Sequence, residues 1–286
     1  MPTGVTTLKA ANPSELRKVL LGGKPDLEQF RSRGPFEVVM QEDRELRLSD
    51  TERIEVDWYL AASAEKAPLV ILLHGQDNTK DDHSYQGLHL ATWGVHCLAV
   101  QLPGKGPWVD NGKVLARIAA LIRSRPEAVD SRIDVSRIIL AGHSFGGAAV
   151  AVALAEGAPV AGGILLDPAA LGKEFPGYLN RIDKPVMLVR ADERFSPVRG
   201  HDDFFFHIRK GIAELSITDA SHDDAQFPLD TPDDPDSTAT EEMQITFVSV
   251  LTSATLSLAW TGNLDYAWRS FAEGIASGRF YSAVRK

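Results

Sequence analysis

The sequence predicts an α/β protein with a mostly parallel central sheet and helices on both faces. Three observations carry that expectation. Short, continuously apolar runs recur along the chain with helical stretches between them, as strands buried on both faces require. Two earlier segments read as an outer antiparallel pair at a sheet edge, the second of them alternating apolar with more polar residues. One apolar run, Ile138-Ile139-Leu140-Ala141, feeds a glycine-flanked turn that opens straight into an alanine-rich helix.

Residues 1–34 are polar and tolerant of helix, with Pro13-Ser14-Glu15-Leu16 offering a helix start, and are expected to form an N-terminal extension on the surface rather than core. Residues 35–286 are expected to form a single domain, a length that buries a full core without dividing. Phe36 to Gln41 and Ile54 to Ala61 read as strands, the second alternating Ile54, Val56, Trp58 and Leu60 with more polar neighbours. The continuous runs are Leu69 to Leu73, Val95 to Val100, Ile138 to Ala141, Gly163 to Leu166, Val186 to Val189 and Ala213 to Ile217. Lys113 to Arg123 aligns Val114, Leu115, Ile118 and Leu121-Ile122 on one helical stripe, and Gly146 to Glu156 forms a second helix. Thr240 to Gly278 is expected to be helical and broken at Gly262-Asn263. Asp223 to Glu242, crowded with Asp and Pro, reads as a surface loop, either the rim of a substrate cleft or simply a solvated acidic segment, and its carboxylate spacing does not match a calcium loop.

Composition narrows the function. With 44% hydrophobic and 24% charged residues the chain reads as globular. A net charge of −9 and the lack of any basic stripe argue against nucleic acid as a partner. Cys97 is the only cysteine, so no internal disulfide forms, and it sits in an apolar run that predicts burial. No apolar run approaches the roughly 20 residues of a membrane span, and none is expected. Met1 to Ala11 lack the pattern of a signal peptide, which points to a cytoplasmic chain, or to a secreted or periplasmic one if a leader has been removed.

The turn Gly142-His143-Ser144-Phe145-Gly146 has the G-x-S-x-G form of a nucleophile elbow, between a strand and a helix as that form requires. Ser144 is the candidate nucleophile. Small residues two before and two after it allow strand and helix to approach, while the helix N-terminus directs N–H groups toward an oxyanion beside Ser144. The Phe145 amide is one candidate donor. The other is the amide of Gln76, which follows the strand end Leu72-Leu73-His74-Gly75; His74 is expected to order that loop and His143 to pack behind the site.

A base for Ser144 is expected after the last strands. His201 and His207 lie in what looks like a helix, whereas His222 follows a strand among small residues and is the candidate base. The acid has two possible homes. Asp167 ends the run Gly163 to Leu166, stopped by Pro168, and has no cationic neighbour; Asp192 and Glu193 end the next run but stand between Arg190 and Arg194. Asp167 is favoured, and Asp192 or Glu193 stays open. Phe145, Trp108, Phe195 and the loop after His222 are candidate pocket walls.

Ala141-Gly142-His143-Ser144-Phe145-Gly146-Gly147, with Leu165-Leu166-Asp167 and later His222, resembles plasma-type platelet-activating-factor acetylhydrolases and chlorophyllases, and more distantly cutinase-like polyester hydrolases. The resemblance runs from about Val70 to His222 and implies the α/β-hydrolase fold. It further implies a serine esterase or lipase-like enzyme with a Ser144, Asp167, His222 triad, no cofactor or metal, and a small-molecule or lipid-like acyl ester as substrate. In the first two groups the acid follows the strand beside the nucleophile strand, which fits Asp167; in the third it falls one strand later, at Asp192 or Glu193. An amidase or thioesterase of the same fold, or a non-catalytic binding protein built on it, is the alternative. A serine at the elbow argues against dehalogenases and epoxide hydrolases, which place an aspartate there.

Overall fold

A computed structural model describes residues 12–286 apart from 64, 199 and 227–239, with the backbone alone at 128 and 201. Among the described residues, the strands are β1 (Val38–Arg47), β2 (Arg53–Ala61), β3 (Ala67–Leu73), β4 (His96–Val100), β5 (Ile133–His143), β6 (Gly162–Leu166), β7 (Val186–Arg190), β8 (Ile212–Ile217) and β9 (Phe280–Arg285). The helices are α1 (Pro13–Gly22), α2 (Ser84–Thr92), α3 (Trp108–Ser124), α4 (Phe145–Ala155), α5 (Phe175–Leu179), α6 (His201–His207), α7 (Glu241–Thr261), α8 (Asp265–Ser270) and α9 (Ala272–Ser277). The strands form one sheet in the order β1-β2-β4-β3-β5-β6-β7-β8-β9. From β4 to β8 neighbours run parallel; β1 with β2, β2 with β4, and β8 with β9 are antiparallel.

The expected α/β architecture is therefore present, and its core explains the continuous apolar runs. On β3, Val70 and Leu72 join a cluster on one face while Leu69, Ile71 and Leu73 join a cluster on the other. Every position in such a strand is buried, so alternation disappears from the sequence. Helices α3 to α6 cover the second face; α1, α2 and α7 to α9 cover the first.

Three differences from the sequence reading have physical causes. Leu16, Leu20, Leu27 and Phe30 lie in the first-face cluster, and the Phe30 ring meets Trp93 edge-on at 4.9 Å, so the segment before residue 35 contributes core rather than a surface extension. Asn12 caps α1 by accepting a 2.8 Å hydrogen bond from the Glu15 amide. Strand β1 begins at Val38, not Phe36, and continues to Arg47 through a bulge between Gln41 and Arg44, where Asp43 has φ +51°. Its outer half is charged because it is an exposed edge, and that hides the strand pattern. Beyond these three differences, helices α2 and α5 and strand β9 answer no expectation from the sequence.

Helix α7 is the third. At 21 residues and a mean hydropathy of 1.3 it has the length and composition to cross a membrane, and 89% of its apolar window is buried inside this fold. Ser and Thr interrupt its sequence, and in the helix they turn back on carbonyls four residues earlier: Thr246 on Glu242 (2.9 Å), Ser249 on Ile245 (2.6 Å) and Thr252 on Val248 (2.7 Å). Gly262, with φ +69°, ends it at the expected break.

Candidate functional site

Ser144 sits between β5 and α4 with φ +54° and ψ −126°. For a residue with a Cβ this conformation costs on the order of 1–3 kcal/mol and persists because the surroundings impose it. The Ser144 amide donates to Leu166 O (3.0 Å), and Ser144 O accepts from Gly147 (3.0 Å) and Ala169 (3.1 Å), so the turn is tied to β6 as well as to its own helix. Strand and helix pass so closely that a Cβ on Gly142 would lie 2.6 Å from Gly146 O, and one on Gly146 would lie 2.3 Å from His74 O. Only glycine fits at either position.

Asp167 leaves β6 with φ +38°, fully buried, and its carboxylate gathers donors from three described segments. Ala191 N donates to Oδ1 at 2.9 Å; Ser196 Oγ (2.7 Å) and His222 Nδ1 (2.6 Å) reach Oδ2. Asp192 is otherwise engaged. Arg194 reaches it through Nη2 at 2.6 Å and Nε at 2.9 Å, and this guanidinium holds the carboxyl well below the usual carboxylate range. Glu193 is exposed, and Arg190 pairs with Glu214 at 3.0 Å rather than with either acid. His207 lies on α6, its Nδ1 3.5 Å from the Asn180 amide, and the side chain of His201 lies outside the described residues.

Ser144, His222, Gln76 and Phe145 line one cavity of about 480 Å³, together with Asn78, Ala169, Ala170, Pro197, Val198, Asp223, Gln226 and the ring of His143. Trp108 stands behind the wall, stacked on Phe145 at 5.6 Å, and Phe195 does not line it; the sequence had named both as walls. Among the described residues, neither the Gln76 nor the Phe145 backbone N–H meets a protein acceptor. The strand end before Gln76 is braced. His74 places Nδ1 2.8 Å from Gly75 O and Nε2 3.0 Å from Leu102 O, and Asp77 N donates to Gly104 O at 2.9 Å. Lys80 N donates to Gln101 Oε1 at 2.9 Å, while burial of its ammonium, which lowers its pKa, is outweighed by the carboxylates of Asp43, Glu55, Asp57 and Asp81 at 2.8–3.3 Å, and the net shift is upward.

The turn carrying His222 is held from below. Buried Asp224 accepts from Ser221 N (2.6 Å), Ser221 Oγ (2.8 Å) and, across a separation of 16 residues, Thr240 N (2.6 Å). Asp223 to Ala225 form a single 3₁₀ turn and Glu241 begins α7; the rest of the acidic segment expected to be a surface loop, 227–239, lies outside the described residues. His143 packs against this turn with its ring centroid 4.3 Å from that of His222. Sequence reasoning missed Ser196, Asp224 and Gln226. No local pattern marks them, since each is an ordinary polar loop residue whose partner is brought by the fold.

Residues 70–278 match the protein family described as Alpha/beta hydrolase family. Comparison with the curated proteins returns no match.

Proposed function

The chain belongs to the alpha/beta hydrolase family and is a hydrolase of that family, and from this premise we propose that it is a serine-dependent carboxylic ester hydrolase working through an acyl-enzyme. The observation that carries the proposal is the 2.6 Å hydrogen bond from His222 Nδ1 to buried Asp167, with His222 lining the same cavity as Ser144 at its strained turn. Asp167 holds the ring so that Nε2 is free to accept a proton and stabilises the imidazolium that forms. Ser144 Oγ attacks the ester carbonyl as its proton passes to His222 Nε2, and the Gln76 and Phe145 amides hold the oxyanion. Collapse of the tetrahedral adduct breaks the bond to the alcohol, which leaves with the proton from His222. Water then loses a proton to His222, attacks the acyl-enzyme and releases the acid, and Ser144 regains its hydrogen.

An ester is favoured over an amide or thioester by the resemblance around residues 141–147 and by the Asp167 spacing that accompanies it in platelet-activating-factor acetylhydrolases and chlorophyllases. The cavity, with apolar Ala169, Ala170, Pro197 and Val198 beside polar Gln76 and Asn78, suits a small or amphiphilic ester. The test is labelling by a fluorophosphonate probe with hydrolysis of p-nitrophenyl esters of increasing chain length, alongside amide and thioester analogues. Labelling that Ser144→Ala abolishes, with ester turnover, is expected. A folded protein whose serine the probe ignores overturns the proposal in favour of a binding role; turnover of amides or thioesters alone overturns the ester assignment.

A further inference from the structure

His143 lies where three parts of the candidate site meet. It is the residue before Ser144, its ring is buried, and Gly75 of the neighbouring strand end presses on it so closely that a Cβ there would fall 3.0 Å from His143 Nδ1 and 3.1 Å from Ser144 Cβ. Its Nε2 is 3.0 Å from the backbone oxygen of His222, and its Nδ1 is 2.6 Å from Gln226 Oε1. Both ring nitrogens are thus engaged with the turn that carries His222.

The chemistry of the partners decides which nitrogen bears hydrogen. A backbone carbonyl only accepts, so a contact of 3.0 Å with it requires Nε2–H. Burial, with His83 and His222 as further imidazole neighbours, opposes a second proton on the ring, so Nδ1 presents a lone pair. Gln226 Oε1 would then face that lone pair as a second acceptor at 2.6 Å, and a half-turn of the amide, which exchanges Oε1 for NH₂, relieves the clash and supplies a donor to Nδ1. The backbone of Gln226 is itself fixed, its N–H donating to Asp223 O at 3.1 Å, and Gln86 Nε2 holds the neighbouring Ala225 O at 3.1 Å.

We propose that His143 is a positioning residue whose Nε2–H, in a tautomer set by Gln226, holds the backbone carbonyl of His222 and so fixes the base relative to Ser144. Asp167 orients the imidazole of His222 from its Nδ1 side, but a ring hinged only there can still swing with its backbone. The bond from His143 removes that freedom and couples the base to the residue adjoining the nucleophile. The inference rests on the proposed roles of Ser144 and His222.

Two substitutions and one spectrum test it. Glutamine can carry its amide nitrogen to about the place of Nε2, whereas asparagine, one methylene shorter, falls short of the His222 carbonyl. With p-nitrophenyl butyrate, His143→Asn is expected to lower kcat about 10–100-fold with KM within about 3-fold, and to slow fluorophosphonate labelling in parallel, while His143→Gln retains most of both rates. Equal rates in the two variants, whether both near wild type or both impaired with the fold intact, overturn the proposal. In the unsubstituted protein, ¹⁵N NMR is expected to find His143 Nε2 protonated and Nδ1 not; the opposite tautomer overturns it without any variant. A wild-type protein that neither labels nor turns over ester, yet shows the expected tautomer, instead counts against the esterase reading.

Discussion

Acid should unfold this protein well before its carboxylates titrate, because its core holds neutral imidazoles. His83, His89 and His96 are all fully buried, and burial pushes their pKa values down to about 3, about 4 and about 4 from an ordinary 6.5. Their surroundings agree with a neutral ring: His83 has no hydrogen-bond partner at either nitrogen among the described residues, and His96 uses Nδ1 to accept the Ala61 amide at 3.2 Å, which a protonated ring could not do. The unfolded chain binds protons at these sites below pH 6.5 and the native state does not, so stability is intact above that pH and is lost as pH falls toward 4. At pH 5 each ring costs about 2 kcal/mol, on the order of 6 kcal/mol for the three, and His143 acts in the same direction. Asp57 and Asp224, raised mainly by burial, oppose this only close to the carboxylate range. A typical domain has about 5–15 kcal/mol to lose. Urea unfolding at pH 7.5, 6 and 5 measures the loss directly, and His89→Leu should recover about 2 kcal/mol at pH 5 relative to its effect at pH 7.5. Equal unfolding free energies at pH 7.5 and 5 would refute the reasoning.

Other consequences are as direct. Asp167→Asn is expected to lower kcat for a nitrophenyl ester by on the order of 10³–10⁴-fold, whereas Asp192→Asn, which breaks the pair with Arg194, leaves kcat within about 3-fold; steady-state kinetics of the two decide between the acids. Gly146→Ala drives a Cβ to 2.3 Å from His74 O and should cost about 1–3 kcal/mol or more in thermal unfolding. Lys80→Met leaves the buried Asp57 without its cation and is expected to cost about 3–5 kcal/mol, much of it recovered when Asp57→Leu is added; urea midpoints of the single and double variants check this.

The sheet was legible where burial on both faces left a run with no polar residue, as in Leu69 to Leu73, and illegible where a strand met solvent. Strand β9 shows the limit: only Phe280 is buried along it, so Tyr281 to Arg285 carry no apolar signature of the pairing with β8. The core role of Leu16 and Phe30 was hidden for another reason, since a few apolar residues in a polar stretch do not reveal what they face. In the site, the turn at Ser144 announced itself because backbone crowding restricts the neighbouring positions to glycine, a constraint written locally. The partners of the other groups are not local. Gln226 meets His143 across 83 residues and Ser196 meets Asp167 across 29, and nothing in either segment encodes the encounter.

The carboxylate of Asp224 has a consequence for how this chain can vary. By receiving Ser221 on one side and Thr240 on the other, it stitches the turn that carries His222 to the start of α7. Variation at Ser221, Asp224 or Thr240 therefore reaches the base even though none of the three is among the described residues lining the cavity. Loss of that one carboxylate would set the imidazole of His222 loose from α7 without altering any described residue that lines the cavity.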